Sequence, residues 1–129
     1  MAWHPNCNLM LSGSGGDRTV RMWDVREGKA CRIMPKAATG VTKVVCSPDG
    51  TTVASGSVDG SVQLWDLRAA QSLCTLAGHK SSVSSLSFSR AGQLLASGGT
   101  DCSMCLWQPC WYASLLWFVY VVVILRYCQ

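Results

Sequence analysis

Three tryptophans, Trp23, Trp65 and Trp107, stand 42 residues apart in a chain of 129, and three aspartates, Asp17, Asp59 and Asp101, keep the same spacing, each six residues ahead of its Trp. The words around them repeat too. Asp17-Arg18-Thr19-Val20-Arg21-Met22-Trp23-Asp24 aligns with Asp59-Gly60-Ser61-Val62-Gln63-Leu64-Trp65-Asp66 and with Asp101-Cys102-Ser103-Met104-Cys105-Leu106-Trp107-Gln108. A period of about 40 to 45 residues is the length of one unit of four short strands, so the repeat predicts an all-β chain of antiparallel sheets.

The middle unit shows the plan. Val41 to Cys46 reads as a strand, Ser47-Pro48-Asp49-Gly50 as a turn in which Pro sets one φ and Gly accepts a positive one, and Thr52 to Ser57 as the returning strand. Val58-Asp59-Gly60 then turns the chain into Ser61 to Asp66, and Ser72 to Leu76 supplies an outer strand. The third unit repeats this with Val83 to Ser89, Leu94 to Gly98 and Met104 to Trp107.

These residues resemble the WD40 repeat family. The pair Gly78-His79, followed 28 residues later by Trp107, is similar to that family's Gly-His to Trp-Asp frame, and the middle unit carries the full dipeptide Trp65-Asp66. The resemblance implies a partial β-propeller of about two and a half blades within residues 1–108, with blades near 3–34, 41–76 and 83–108, followed by an apolar tail over 109–129. It also implies a buried hydrogen-bonded tetrad in which His79 bridges Asp101 and Ser97 while Ser97 reaches the indole N–H of Trp107. In the second unit Ala37 replaces the His, leaving a partial set of Ser55, Asp59 and Trp65. Within the family, Trp3-His4-Pro5-Asn6, Asp17 to Asp24, Cys31-Arg32-Ile33 and Phe88-Ser89-Arg90 look most like the WD40 subunits of the TBP-associated-factor class found in TFIID and SAGA-type coactivators.

The implied function is a non-catalytic protein-binding scaffold in the nucleus, its partners subunits of a transcription coactivator and the chain a fragment or truncated isoform of such a subunit. Arg18, Lys36, Gly60 and Lys80, where connections between strands emerge, are the candidate partner-binding residues. The unit boundaries depart from the family pattern in several places. Between Ser12 and Asp17 there is one residue more than between Ser55 and Asp59, which predicts a looser first turn. The first unit is expected to lack its innermost strand and the third a recognisable outer one. Since propellers close with typically four to eight blades, this many are not expected to close a ring alone.

Other chemistries fit less well. The formal charge of +4 comes from scattered Lys and Arg, so no direct nucleic-acid contact is expected. Eight cysteines without an apolar leader at Met1 to Pro5 favour packing thiols in a reducing compartment over a disulfide framework. Cys102 and Cys105 form a C-x-x-C with Cys110 five residues on, but no second ligand pair accompanies them, and neither a metal nor a cofactor is expected. Gly13-Ser14-Gly15-Gly16 lacks the Lys of a phosphate-binding loop and reads as a turn. Ser97, His79 and Asp101 are also the parts of a serine hydrolase triad, without a nucleophile elbow or an oxyanion-hole sequence around them.

After Pro109 the repeat stops, and 111–125 is an unbroken run of apolar residues, Tyr and one Ser. Its 15 residues fall short of the roughly 20 that span a bilayer, although Trp and Tyr at its start and Arg126-Tyr127 at its end resemble interfacial anchors. A membrane-anchored adaptor, located at a membrane or in the cytoplasm, is thus an alternative. The others are a functionless alternative ending and an outer strand over Tyr120 to Leu125.

Overall fold

Each repeat folds into a sheet because its runs rich in Val, Leu and Trp are separated by turns that Gly, Asp, Ser and Pro negotiate with least strain. The computed structural model describes residues 2–5, 8–34, 37, 39–67, 71–77, 79–90, 94–107 and 125–126. Among them, β1 (Ala2–Trp3), β2 (Leu9–Gly13), β3 (Val20–Asp24) and β4 (Lys29–Ile33) make the first sheet. The second holds β5 (Val41–Cys46), β6 (Thr52–Ser57), β7 (Ser61–Asp66) and β8 (Gln71–Ala77). The third holds β9 (Val83–Phe88), β10 (Leu95–Gly99), β11 (Ser103–Trp107) and β12 (Leu125–Arg126). All neighbours are antiparallel and follow chain order, so the architecture is all-β, as a partial propeller requires.

Two expectations about incomplete units need correcting. The first sheet has a stub of its innermost strand, since Ala2 and Trp3 pair with Leu11 and Met10. The third sheet has an outer strand taken from the tail. Met104 pairs with Leu125 and Ser103 with Arg126, the register in which Val62 pairs with Leu76 and Ser61 with Ala77. The rest of 108–129 lies outside the described residues, and with it the candidate membrane segment; among the described residues no helix is long and apolar enough to cross a membrane. The extra residue after Ser12 sits in the loop between β2 and β3, whose pairing runs without a shift.

Period-two alternation lets one sheet serve two cores. Val53, Trp65 and Leu67 of the second sheet pack against Leu11, Val20 and Met22 of the first. Ala54, Val62 and Leu64, on its other face, pack against Val83, Leu86, Leu95 and Trp107 of the third. Each large side chain buried this way contributes about 1.5–3 kcal/mol relative to exposure. The sheets approach closely at glycine: a Cβ on Gly13 would lie 2.5 Å from Val41 Cγ1, and one on Gly56 2.5 Å from Val83 Cγ1. Beside this contact the Thr42 hydroxyl lies 3.1 Å from the carbonyl of Gly56 and 2.5 Å from that of Val83, so it ties two sheets together.

Candidate functional site: the polar network at the end of the sheets

The turn from the second to the third strand of every sheet begins with an Asp whose carboxylate takes the backbone N–H and the hydroxyl of the residue two further on. Asp17 Oδ1 accepts from Thr19 N at 3.1 Å and Thr19 Oγ1 at 2.8 Å. Asp59 Oδ1 accepts from Ser61 N at 3.0 Å and Oγ at 2.7 Å, and Asp101 Oδ1 from Ser103 N at 3.2 Å and Oγ at 2.6 Å. Thr19, Ser61 and Ser103 were not singled out from the sequence, although hydroxyl residues recurring two places after each Asp are the signal that would have found them. The Asp side chains thereby fold the turn onto itself.

The residue after each Asp takes a left-handed backbone, with φ of 61° at Arg18, 89° at Gly60 and 62° at Cys102. Only Gly60 does so freely. It is buried, and a Cβ there would lie 2.5 Å from the His79 carbonyl and 2.6 Å from that of Ser81. Of the partner-binding candidates, Gly60 is thus buried beneath the connection at His79 to Ser81 and leaves little surface. Arg18 and Lys80 are exposed, while Lys36 lies outside the described residues.

A second recurring contact runs from the indole N–H of the Trp to the Ser of the neighbouring strand, 2.8 Å in each sheet, for Trp23 with Ser12, Trp65 with Ser55 and Trp107 with Ser97. In the third sheet this pair continues into the imidazole of His79, whose Nε2 lies 2.7 Å from Ser97 Oγ and whose Nδ1 lies 3.0 Å from Ser103 Oγ and 3.4 Å from Asp101 Oδ1. The other Asp101 oxygen accepts the backbone N–H of Lys80 at 2.9 Å. An ionised carboxylate can only accept, so in the neutral ring Nδ1 carries the proton and Nε2 takes the hydroxyl of Ser97, which in turn accepts from Trp107. The structure thus brings His79, Ser97, Asp101 and Trp107 into one chain of hydrogen bonds. In the second sheet it brings Ser55 and Trp65 together, while Asp59 is satisfied by its own turn and Ala37 is buried among apolar side chains.

Hydrogen bonding sets the charge of these turns. The Ser103 hydroxyl, followed by the backbone N–H of Lys80, holds the Asp101 carboxyl well below the usual carboxylate range. Ser61 acts in the same direction on Asp59, and the Ser14 and Thr19 hydroxyls bring Asp17 down to about 2. Burial pushes the thiol of Cys46 up to about 11 and raises that of Cys105. Of the C-x-x-C pair, Cys102 is exposed in its turn and Cys105 is buried in a strand, so the two do not face a common site. Among the described residues no group of three His, Cys, Asp or Glu side chains is placed to hold a metal ion.

As a hydrolase triad the same atoms are badly sited. Ser97 is 1% exposed, and its oxygen already accepts from an indole while bonded to the imidazole. A substrate carbonyl has no approach to that oxygen in this arrangement, and the polar groups instead satisfy one another, as buried groups must.

The family model for the WD domain, G-beta repeat, matches residues 1–24, 28–66 and 70–108, well over half of the chain. The chain belongs to the WD40 repeat family. Among curated proteins, this WD40 chain is 43% identical over 47 residues to the F-box-like/WD repeat-containing protein TBL1X of Mus musculus, covering 36% of the chain and 9% of that protein. It is 32% identical over 59 residues to THO complex subunit 3 of Arabidopsis thaliana, covering 46% of the chain and 18% of the relative. It is 42% identical over 53 residues to Transcription initiation factor TFIID subunit 5 of Caenorhabditis elegans, covering 41% of the chain and 8% of the relative. The chain therefore spans less than a fifth of the length of each of these proteins.

Proposed function

We propose that this WD40 chain is a protein-interaction scaffold belonging to a nuclear transcription coactivator or general transcription factor complex, and that residues 1–108 are its propeller portion. The observation that carries the reading is the likeness to a TFIID subunit and to other WD repeat proteins. The hydrogen-bonded network supports it, because its polar side chains are consumed in holding turns and connections rather than presented to a substrate. His79, Ser97, Asp101 and Trp107 act in this reading as a structural tetrad that fixes the connection entering the third sheet. Arg18 and Lys80, exposed at that end, would meet partner proteins.

Co-purification of the tagged full chain from nuclei, with identification of what accompanies it, tests the assignment. Stoichiometric subunits of a coactivator, reduced by Arg18→Glu or Lys80→Glu, are the expected result. Recovery of chaperones and proteasome components alone would sink it.

A further inference from the structure

The strands β1, β5 and β9 together wall a concave cavity of about 450 Å3. Since β9 runs from the connection that holds Lys80 to Arg90 on the cavity rim, this site lies at the end of the sheets away from the Asp turns. Trp3, Val45, Pro48 and Phe88 give it an apolar wall, to which the third sheet adds Ser87, Ser89 and Arg90. The repeat does not demand these polar groups. Strand pairing puts Ser87 where the first sheet has Ala2 and the second Val45, and Arg90 stands 42 residues after Pro48 of the second. Both departures from the repeat fall on one cavity.

Arg90 carries the one charge among the described residues of the lining. It is exposed, and among the described residues no ion pair engages it. The carboxylate of Asp49, next to Pro48 in sequence, is taken up inside its own turn by the Ser47 and Thr51 hydroxyls and the Thr51 backbone N–H. Cys46 in the same wall stays an uncharged thiol, because burial pushes it up to about 11. We propose that this cavity takes a short segment of a partner protein, seating one bulky apolar side chain against Trp3 and Phe88 and setting an acidic side chain on Arg90. A guanidinium fork matches a carboxylate bidentately, and no lining carboxylate opposes it. The volume falls within the roughly 300–1,000 Å3 of ligand sites, but a small metabolite needs most of its surface enclosed. With Trp3 61% exposed, the wall is instead an open one of Trp and Arg, the side chains that anchor protein interfaces. This rests on the reading of the chain as an interaction scaffold and gives it a contact separate from Arg18 and Lys80.

Fluorescence anisotropy of an end-labelled, capped pentapeptide, a phenylalanine between two pairs of aspartates, titrated with the full chain tests the site. Saturable binding with a dissociation constant below about 1 mM is expected. Lysines in place of the aspartates, or alanine in place of the phenylalanine, are each expected to weaken it roughly tenfold or more. Arg90→Glu is expected to reverse the order of the two charged peptides, and its gain of the lysine peptide shows that the variant is folded. Ser87→Trp fills the cavity from an exposed position and is expected to abolish binding of the acidic peptide. No saturation, equal affinity for the acidic and lysine peptides, an unchanged order in Arg90→Glu, or undiminished binding to Ser87→Trp overturns the proposal. Each of these leaves the scaffold reading to its own co-purification test, since Arg18 and Lys80 lie at the other end of the sheets.

Discussion

The polar networks at the ends of the second and third sheets share a frame of hydrogen bonds and differ at the residue that the incoming connection brings to it, Ala37 in the second and His79 in the third. Both have the Asp turn, both have the 2.8 Å bond from indole to Ser, and both tie the incoming connection to the turn through one backbone bond, Val58 N to Gly40 O at 2.9 Å and Thr100 N to Ser82 O at 2.9 Å. Only the third sheet adds an imidazole between the Ser and the Asp, because His79 stands where the second has Ala37. The strand register and the turn thus assemble without the histidine. What His79 adds is a link from the connection to the strand and turn of the third sheet, paid for by placing a polar ring in a buried position.

The largest effect that would break this comparison is expected from His79→Ala. The buried Ser97 hydroxyl would lose the ring and Asp101 a donor, a cost of about 1–3 kcal/mol, read as a lower urea midpoint. Ala37→His in the second sheet is the converse and is expected to raise the thermal midpoint. A neutral result for His79→Ala would mean that the backbone bonds alone hold the connection.

A smaller effect is expected at the left-handed turn position. Cys102→Gly gives the third sheet the residue that the second already has, and relief of the backbone penalty is expected to stabilise the chain by about 1 kcal/mol, measurable by thermal unfolding. Gly60→Ala should do the reverse, since a Cβ there would run into the His79 and Ser81 carbonyls. Equal responses at the two positions would deny that the turns are strained differently.

The smallest effect concerns acid. The folded chain holds the Asp101 carboxyl below its ordinary value, so the carboxylate favours folding in full above the unfolded pKa of about 3.9 and loses that contribution as pH falls through the lower folded value. Asp101→Asn is therefore expected to flatten the loss of stability below about pH 4, more than Asp59→Asn does, as followed by denaturant midpoints across that range. An unchanged acid profile would show that Asp101 is no better stabilised when folded.

How much of this could be read beforehand depends on whether the information lay along the chain or between its parts. The spacing of Trp23, Trp65 and Trp107 was enough for the sheets, and strands such as Val41–Cys46 and Ser61–Asp66 have the bounds that their flanking turn residues suggested. Gly60 looked like an exposed loop glycine because nothing near it in sequence reveals that the connection at His79 to Ser81 comes to rest on it. The roles of Thr19, Ser61 and Ser103 were legible in principle, being local, but small hydroxyl residues are common enough in turns to pass unnoticed. The strand stub at Ala2–Trp3 was not legible, because two residues carry no periodicity and their pairing depends on the sheet beside them, whereas an outer strand from the tail, ending at Leu125, was among the alternatives and Leu125–Arg126 supplies one.

The middle sheet alone belongs to both cores, and every residue of β6 is buried. In a stack where each unit is stabilised by its neighbours, opening either end leaves the centre with one partner still in place. Amide protons of Thr52–Ser57 should accordingly be the last to exchange with deuterated solvent, doing so only when the whole chain opens, while those of β4, exposed along its whole length, are released earlier.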